Sequence, residues 1–243
     1  MAVKPLLWPS LATVLAMIAL TGLGLWQLQR LQWKLGLIQR IAERVHAAPI
    51  PLETAIAQAA AGAPADFDYT HIRATGHFRN DLERYLYANG PSDWGWDVLT
   101  PLELVDGRAV IVNRGFVPRQ QLDRSLRAAG LADGVVTLTG LVRSTPAARP
   151  WSIPAGDPVK FTWYWFEIGA LAASMYPTRG APITTFYVDA DPIAAAAPPA
   201  GGATNLDLPN RHLEYAFTWF GLAAVLAVIY GLFAFRQVTG SRG

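Results

Sequence analysis

Of the four histidines in this 243-residue chain, His212 keeps the most telling company. It lies in Pro209-Asn210-Arg211-His212-Leu213-Glu214-Tyr215-Ala216-Phe217-Thr218-Trp219, at the mouth of an apolar run from Tyr215 to Phe235 that Arg236 closes. At helical spacing His212, Tyr215, Ala216 and Trp219 share one face. An imidazole in that stripe is able to cap a helix, hydrogen-bond a partner, or ligate a metal or haem iron as a neutral base. The two aromatics have a plainer use, because Tyr and Trp rings anchor helices at a membrane surface.

The other candidate groups carry less. His71 and His77 fit one face of a strand, but Gly76 is expected to break that strand, so solvated side chains are the simpler reading than a metal site. His46 reads as a loop-surface residue, and Asp97, Glu103 and Asp106 as turn formers around a hairpin. Asn113-Arg114-Gly115 closes an apolar strand, where the Arg is expected to bond carbonyls at the exit. Phe161-Thr162-Trp163-Tyr164-Trp165-Phe166 is aromatic on both faces, which suits double-sided burial or a surface for a partner or flat cofactor. Phosphate-loop, nucleophile-elbow and His-Glu-x-x-His signatures are missing, and with no base, nucleophile and metal cluster together an enzyme is not expected. The chain has no cysteine, which excludes disulfides, thiolate nucleophiles, zinc-thiolate sites and iron–sulfur clusters. Net charge is only +2 with scattered basic residues, so no nucleic-acid footprint exists.

The elements that hold these residues follow from hydropathy. Hydrophobic content is 52% and charged content 16%, against roughly 25% charged in a typical soluble domain. Residues 5–29 form one apolar run, too long for a signal-peptide core, and read as a transmembrane helix that continues to about residue 44. Residues 209–236 form a second span. Ala12 and Ala16 in the first, with Ala223, Ala227 and Gly231 in the second, offer small-residue faces for close packing. Residues 45–190 read as one extramembrane α+β domain, with an antiparallel sheet that is open or barrel-like, and 191–208 as an Ala/Pro/Gly linker. Strands are expected over 69–75, 84–88, 97–104, 109–116, 135–143, 160–166 and 185–189, with helices over 51–58, 120–129 and 167–175. Arg30, Lys34, Arg40 and Arg44 flank the loop side, Lys4, Arg236 and Arg242 the terminal side. Charge alone leaves the orientation open, since long domains cross membranes largely regardless of charge.

In order, Gly24-Leu25-Trp26-Gln27-Leu28-Gln29-Arg30 with Trp33-Lys34, Gly95-Trp96-Asp97-Val98-Leu99-Thr100-Pro101, Val112-Asn113-Arg114-Gly115-Phe116-Val117-Pro118, and Gly201-Gly202 with Asn210 to Trp219 resemble the signatures of the Surfeit locus protein 1 family of cytochrome c oxidase assembly factors. The resemblance runs nearly the whole chain and departs at Phe116, where the family usually carries Trp, so an indole N–H bond is lost. It implies a multi-pass protein of the bacterial inner membrane with a periplasmic central domain. The implied role is a chaperone in respiratory-chain biogenesis that transiently binds haem a and assists its insertion into oxidase subunit I. It implies His212 as the iron ligand, and its partners would be subunit I, the haem a synthase and membrane lipid. Tyr215, Trp219 and Trp26 are then candidates to flank the macrocycle, and Arg211 or Arg30 to meet its propionates. A scaffold that holds subunit I or the synthase and binds no haem is the alternative.

Overall fold

A computed structural model describes residues 4–62, 64–90, 93–131, 133–145, 148–177, 182–193 and 197–240. Two compact units emerge, one of residues 1–40 and 207–243 and one of residues 41–206.

The first unit is a pair of long helices, α1 (Lys4–Val45, whose last turns belong to the second unit) and α4 (His212–Gly240). Both are long and apolar enough to cross a membrane. They run antiparallel, because Ser10 meets Tyr230 at one end and Gln27 meets His212 at the other. Closest approach falls at Gly24, where an added Cβ would stand 2.6 Å from the Phe220 ring, and at the buried Ala216 and Ala223. Ala12, Ala227 and Gly231 are exposed, so those small residues do not make the seam. Gly24, without a side chain, leaves the room that the Phe220 ring takes.

The second unit contains β1 (Ile50–Pro51), α2 (Leu52–Ala61), β2 (His71–Phe78), β3 (Arg84–Asn89), β4 (Trp94–Glu103), β5 (Ala109–Pro118), β6 (Val135–Ser144), β7 (Thr162–Trp163), α3 (Ile168–Met175) and β8 (Ile183–Ala190). The strand order is β1-β2-β6-β8-β5-β4-β3-β7. The sheet is mixed rather than antiparallel: β1–β2, β3–β7 and β5–β8 pair in parallel. Parallel partners are reached through long crossovers, which leave no local turn signal in a sequence. Nor is the sheet a clear barrel, because β2 meets β4 over only His77↔Glu103 and Phe78↔Leu102. Gly76 makes that meeting sterically feasible. The strand continues through it, and an added Cβ would lie 2.4 Å from the Glu103 carbonyl oxygen.

Both faces of the central strands are covered. Val110, Val112, Phe186 and Val188 pack with Leu52, Ala55 and Ala59 of α2, while Ile111 and Tyr187 point the other way towards Leu171, Ala172 and Met175 of α3. Alternation by one residue thus explains why Ala109-Val110-Ile111-Val112 is a continuous apolar run instead of an in–out pattern. The expected helix over 120–129 is replaced by two 3₁₀ turns, Arg119–Gln121 and Arg124–Gly130, and the expected strand over 160–166 shrinks to Thr162–Trp163. The segment after β8 is fastened down: Gly201 N–H donates to the Arg114 carbonyl at 2.7 Å, Gly202 N–H to the Ala190 carbonyl at 2.9 Å, and Thr204 to Asp189 at 2.6 Å. The middle of the expected linker, 194–196, and Arg242 lie outside the described residues.

One carboxylate pins much of this domain. Glu83, fully buried, receives Arg127 through two nitrogens at 2.6 and 3.3 Å, Arg124 at 3.3 Å and Arg114 at 3.7 Å, with the Tyr85 hydroxyl donating at 3.3 Å. Removing the anion leaves buried guanidinium charge uncompensated, which typically costs about 3–5 kcal/mol. Glu83→Ala is therefore expected to destabilise the domain by that order, read as a lowered midpoint in guanidinium unfolding of the detergent-solubilised protein. A shift below about 1 kcal/mol would show that solvent readily replaces the carboxylate.

Candidate functional site

His212 opens α4, and the Asn210 side-chain oxygen accepts from its backbone N–H at 3.5 Å. Its Nδ1 stands 2.8 Å from the Gln27 side-chain oxygen on α1. An amide oxygen only accepts, so this contact requires a proton on Nδ1. In the neutral ring Nε2 is then the atom with the free lone pair. Gln27 is itself 9% exposed, an amide held inside the helix pair by this contact. The pairing was not legible in the sequence, because Gln27 and His212 are 185 positions apart.

Around this pair the sequence-nominated residues separate. Ala216 is 2% exposed at the helix seam, about one turn from His212 on one side and from Trp219 on the other, so the three share a face. Trp219 is half-buried, and its indole Nε1 is enclosed without a hydrogen-bond partner. Such an N–H normally finds an acceptor when buried. Tyr215 and Trp26, at 53% and 54% exposure, sit away from the seam, each offering a ring to the surroundings. Arg211 is exposed, and Arg30 lies over the Trp33 ring at 3.8 Å. Among the described residues no group of three or more His, Cys, Asp and Glu could hold a metal ion. The chemistry available here is that of one oriented imidazole beside aromatic rings, a donor set suited to a single axial bond and not to an enclosed metal cage.

The central domain concentrates its polar groups at the motif Asn113-Arg114-Gly115. Asn113 donates to Asp97 at 3.3 Å and accepts from Gly115 N–H at 3.0 Å. Gly115 takes φ +105°, and an added Cβ would lie 2.7 Å from the backbone of Gly201, so the two glycine motifs are a single packed unit. Phe116 seats its ring over Gly90 and Gly95, where added Cβ atoms would meet it at 2.3 and 2.6 Å. Asp97, expected to be a surface turn former, instead faces inward; burial pushes its carboxyl up to about 6 against the pull of Asn113, with the Asp189 carboxyl adding to the rise. Burial likewise raises Asp189, one of whose oxygens has no partner.

The expected aromatic strand divides by role. Trp163 and Phe166 enter the core beside α3, whereas Tyr164 joins Tyr87, Trp94 and Trp96 in a surface cluster with ring centroids 6.0–6.3 Å apart. His71 and His77 are held singly, His71 between the Ala47 carbonyl and Asp191 and His77 on the Gly134 carbonyl.

Compared with known proteins, residues 14–224 match the SURF1 family model. Surfeit locus protein 1 of Mus musculus is 34% identical over 233 residues, covering 86% of this chain and 70% of its own length. The Homo sapiens protein of that name is 32% identical over 244 residues, covering 89% and 75%, and the Takifugu rubripes one 30% identical, covering 86% and 90%.

A pH test follows from Asp97. A carboxyl raised in the folded state binds its proton more tightly there, so its contribution is full below about pH 4 and is lost as pH rises through about 6. Relative to wild type, Asp97→Asn is expected to gain on the order of 2–3 kcal/mol in unfolding free energy between pH 4 and pH 7.5. A constant difference across that range would place the Asp97 titration at its ordinary value.

Proposed function

The chain belongs to the SURF1 family of cytochrome c oxidase assembly factors, and from that premise we propose that it carries haem a and assists its placement in oxidase subunit I. The observation that carries the reading is the hydrogen bond between His212 and Gln27. Imidazoles that ligate metals are usually oriented by an acceptor on the other ring nitrogen, which fixes the tautomer and raises ligand basicity. Gln27 supplies that acceptor, and Nε2 remains to bind iron. The half-buried Trp219 ring and the exposed rings of Trp26 and Tyr215 provide apolar surface suited to a macrocycle. Arg211, exposed just before α4, is the cation for a propionate. One ligand suits cargo that must leave again.

The same reading places α1 and α4 in the bacterial inner membrane with the central domain on the periplasmic side. Support comes from the helices' exposed apolar surface: Leu15, Ile18, Val225, Val228, Ile229, Leu232 and Phe235 are each 56–67% exposed, which water would penalise and lipid would not. The cysteine-free sequence makes the orientation directly testable. Val105→Cys, at a residue 96% exposed, should react with a membrane-impermeant maleimide added to spheroplasts, and Thr239→Cys should react only after lysis. The reverse pattern would invert the topology.

Haem carriage is tested by the absorption spectrum of protein purified from cells that make haem a. Wild type should show a haem a band that His212→Ala lacks and that Gln27→Leu retains with about 10-fold or more weaker affinity. Unchanged retention in Arg211→Ala would remove that residue from the site. If His212→Ala keeps haem as wild type does, the ligand is another residue. If wild type carries none despite ample supply, a scaffold role is favoured, for which the exposed Tyr87-Trp94-Tyr164 cluster offers a docking surface.

A further inference from the structure

Arg114 is held by polar partners and also lines a cavity. Its Nη1 donates to the Asn80 side chain at 3.0 Å and faces Glu83 at 3.7 Å, its Nη2 donates to the Gly130 carbonyl, and its guanidinium lies 4.4 Å from the Phe78 ring. The 7% of it that stays exposed lines a cavity of about 360 Å³ in the central domain, within the size range of small-molecule sites. The walls are apolar: Phe78 from β2, Val136 and Leu138 from β6, and Ile193 and Pro199 from the fastened segment after β8. Arg114 is the only charged side chain among the lining residues.

Charge balance favours an anion there. The same carboxylate, Glu83, is shared by the buried Arg114 and Arg127 and by Arg124, whose side chain is 40% exposed, so two buried guanidiniums face one buried negative charge. Arg127 is the nearest of them and takes both carboxylate oxygens, which leaves Arg114 the least compensated. Burial weakens the hold of Arg114 on its proton, Glu83 offsets this in part and Arg127 adds to it, and an incoming anion relieves what remains. With two of its nitrogens already donating, the remaining face of Arg114 suits one carboxylate and not a doubly charged phosphate that calls for several donors. A depression of about 450 Å³ beside α2 is larger, but its Glu53 and Asp106 are both paired with Arg108 and its Arg73 is exposed to solvent, so no buried cation lines it.

We propose that this cavity binds a medium-chain fatty carboxylate, with the headgroup on the Arg114 guanidinium and the acyl chain between the Phe78, Leu138 and Pro199 walls. Thr137 and backbone groups are the other polar surroundings, too few to satisfy a peptide main chain as well as its terminal carboxylate. The site is independent of the His212 region.

The test uses the full chain in lipid nanodiscs, titrated with carboxyl-labelled octanoate by NMR, with empty nanodiscs subtracted. Octanoate should bind saturably and about tenfold or more tighter than 1-octanol, the margin expected for one charge-assisted contact. Ala129→Trp, at an exposed residue on the cavity lip, should cut octanoate binding by about tenfold or more without touching Arg114. Arg114→Gln, where it folds, should bind octanoate and octanol alike; where it does not fold, the octanol comparison and Ala129→Trp still decide. Equal binding of octanoate and octanol to wild type, or an unaffected Ala129→Trp, overturns the proposal. Displacement by N-acetyl-leucyl-leucine of a probe that octanoate cannot displace also overturns it, in favour of a peptide terminus.

Discussion

A carboxylate with no solvent contact must be compensated where it sits, and in this protein Glu83 sets that constraint. Moving an ion out of water costs several kcal/mol, and attraction to a partner offsets this only when the geometry is good. Glu83 meets the requirement by drawing Arg114 from β5 and Arg124 and Arg127 from the 3₁₀ turn beyond it. Those segments would otherwise have little reason to be neighbours, because the apolar contact comes from Leu122 ahead of the turn, which packs beside Trp96, Val98 and Val117. The carboxylate thus acts more as a locator than as a stabiliser. A hydrophobic residue of similar volume would hold the core about equally well in energy, but it would not place three guanidiniums. Overcompensation is the consequence: Arg114 and Arg127, both buried, share the one buried carboxylate while Arg124 reaches solvent, and Arg127 Nε is buried without a partner. A structure that needed only to fold would be served by one arginine.

The glycines explain how the charged node is joined to the rest of the domain. Gly115 follows Arg114 with φ +105° and lies too close to Gly201 for a side chain, while a Cβ on Gly201, at φ +74°, would meet the Asp191 carbonyl oxygen at 2.0 Å. Their backbones exchange the Gly201 N–H to Arg114 carbonyl bond, so the segment after β8 is laid over the strand that carries Arg114. Gly130 belongs to the same arrangement, because an added Cβ there would lie 2.3 Å from the Pro198 carbonyl oxygen. Three glycines far apart in sequence therefore let three backbone segments close together over one cavity. A side chain at any of them would separate the segments before it altered any charge.

How much of this could be read from sequence depended on the range of the interaction. The two long helices, the hairpin between β4 and β5 and most strand positions rest on local hydropathy and turn chemistry, and these were legible within a few residues. The parallel pairings were not, since β5 finds β8 across more than sixty residues with no local mark of it. Gly76 was misread for a related reason: glycine weakens an isolated strand, yet here it admits the Glu103 backbone and so extends the pairing. Asp97 was misread because a hairpin acid is ordinarily solvated, and only the tertiary arrangement of Asn113 and Asp189 shows it facing inward. The motifs at 113–118 and 201–202 were recognisable as separate words. Their joint meaning, one packed unit around Arg114, required the fold.

His212 was the most legible candidate residue, and Gln27 the least. The physical reason lies in what each would cost alone. A histidine at the end of an apolar helix has water or headgroups within reach, so its presence asks for no partner. A glutamine buried between two helices has no such relief, and an amide unpaired in apolar surroundings costs more than the hydrogen bond returns when made. Helix packing could be had more cheaply from a leucine at position 27, since Gly24, Ala216 and Ala223 already bring the backbones together. The polar residue is therefore explained by its contact with the ring and not by the seam. Because that contact requires the proton on Nδ1, Gln27 selects one tautomer of the neutral imidazole and leaves the Nε2 lone pair free.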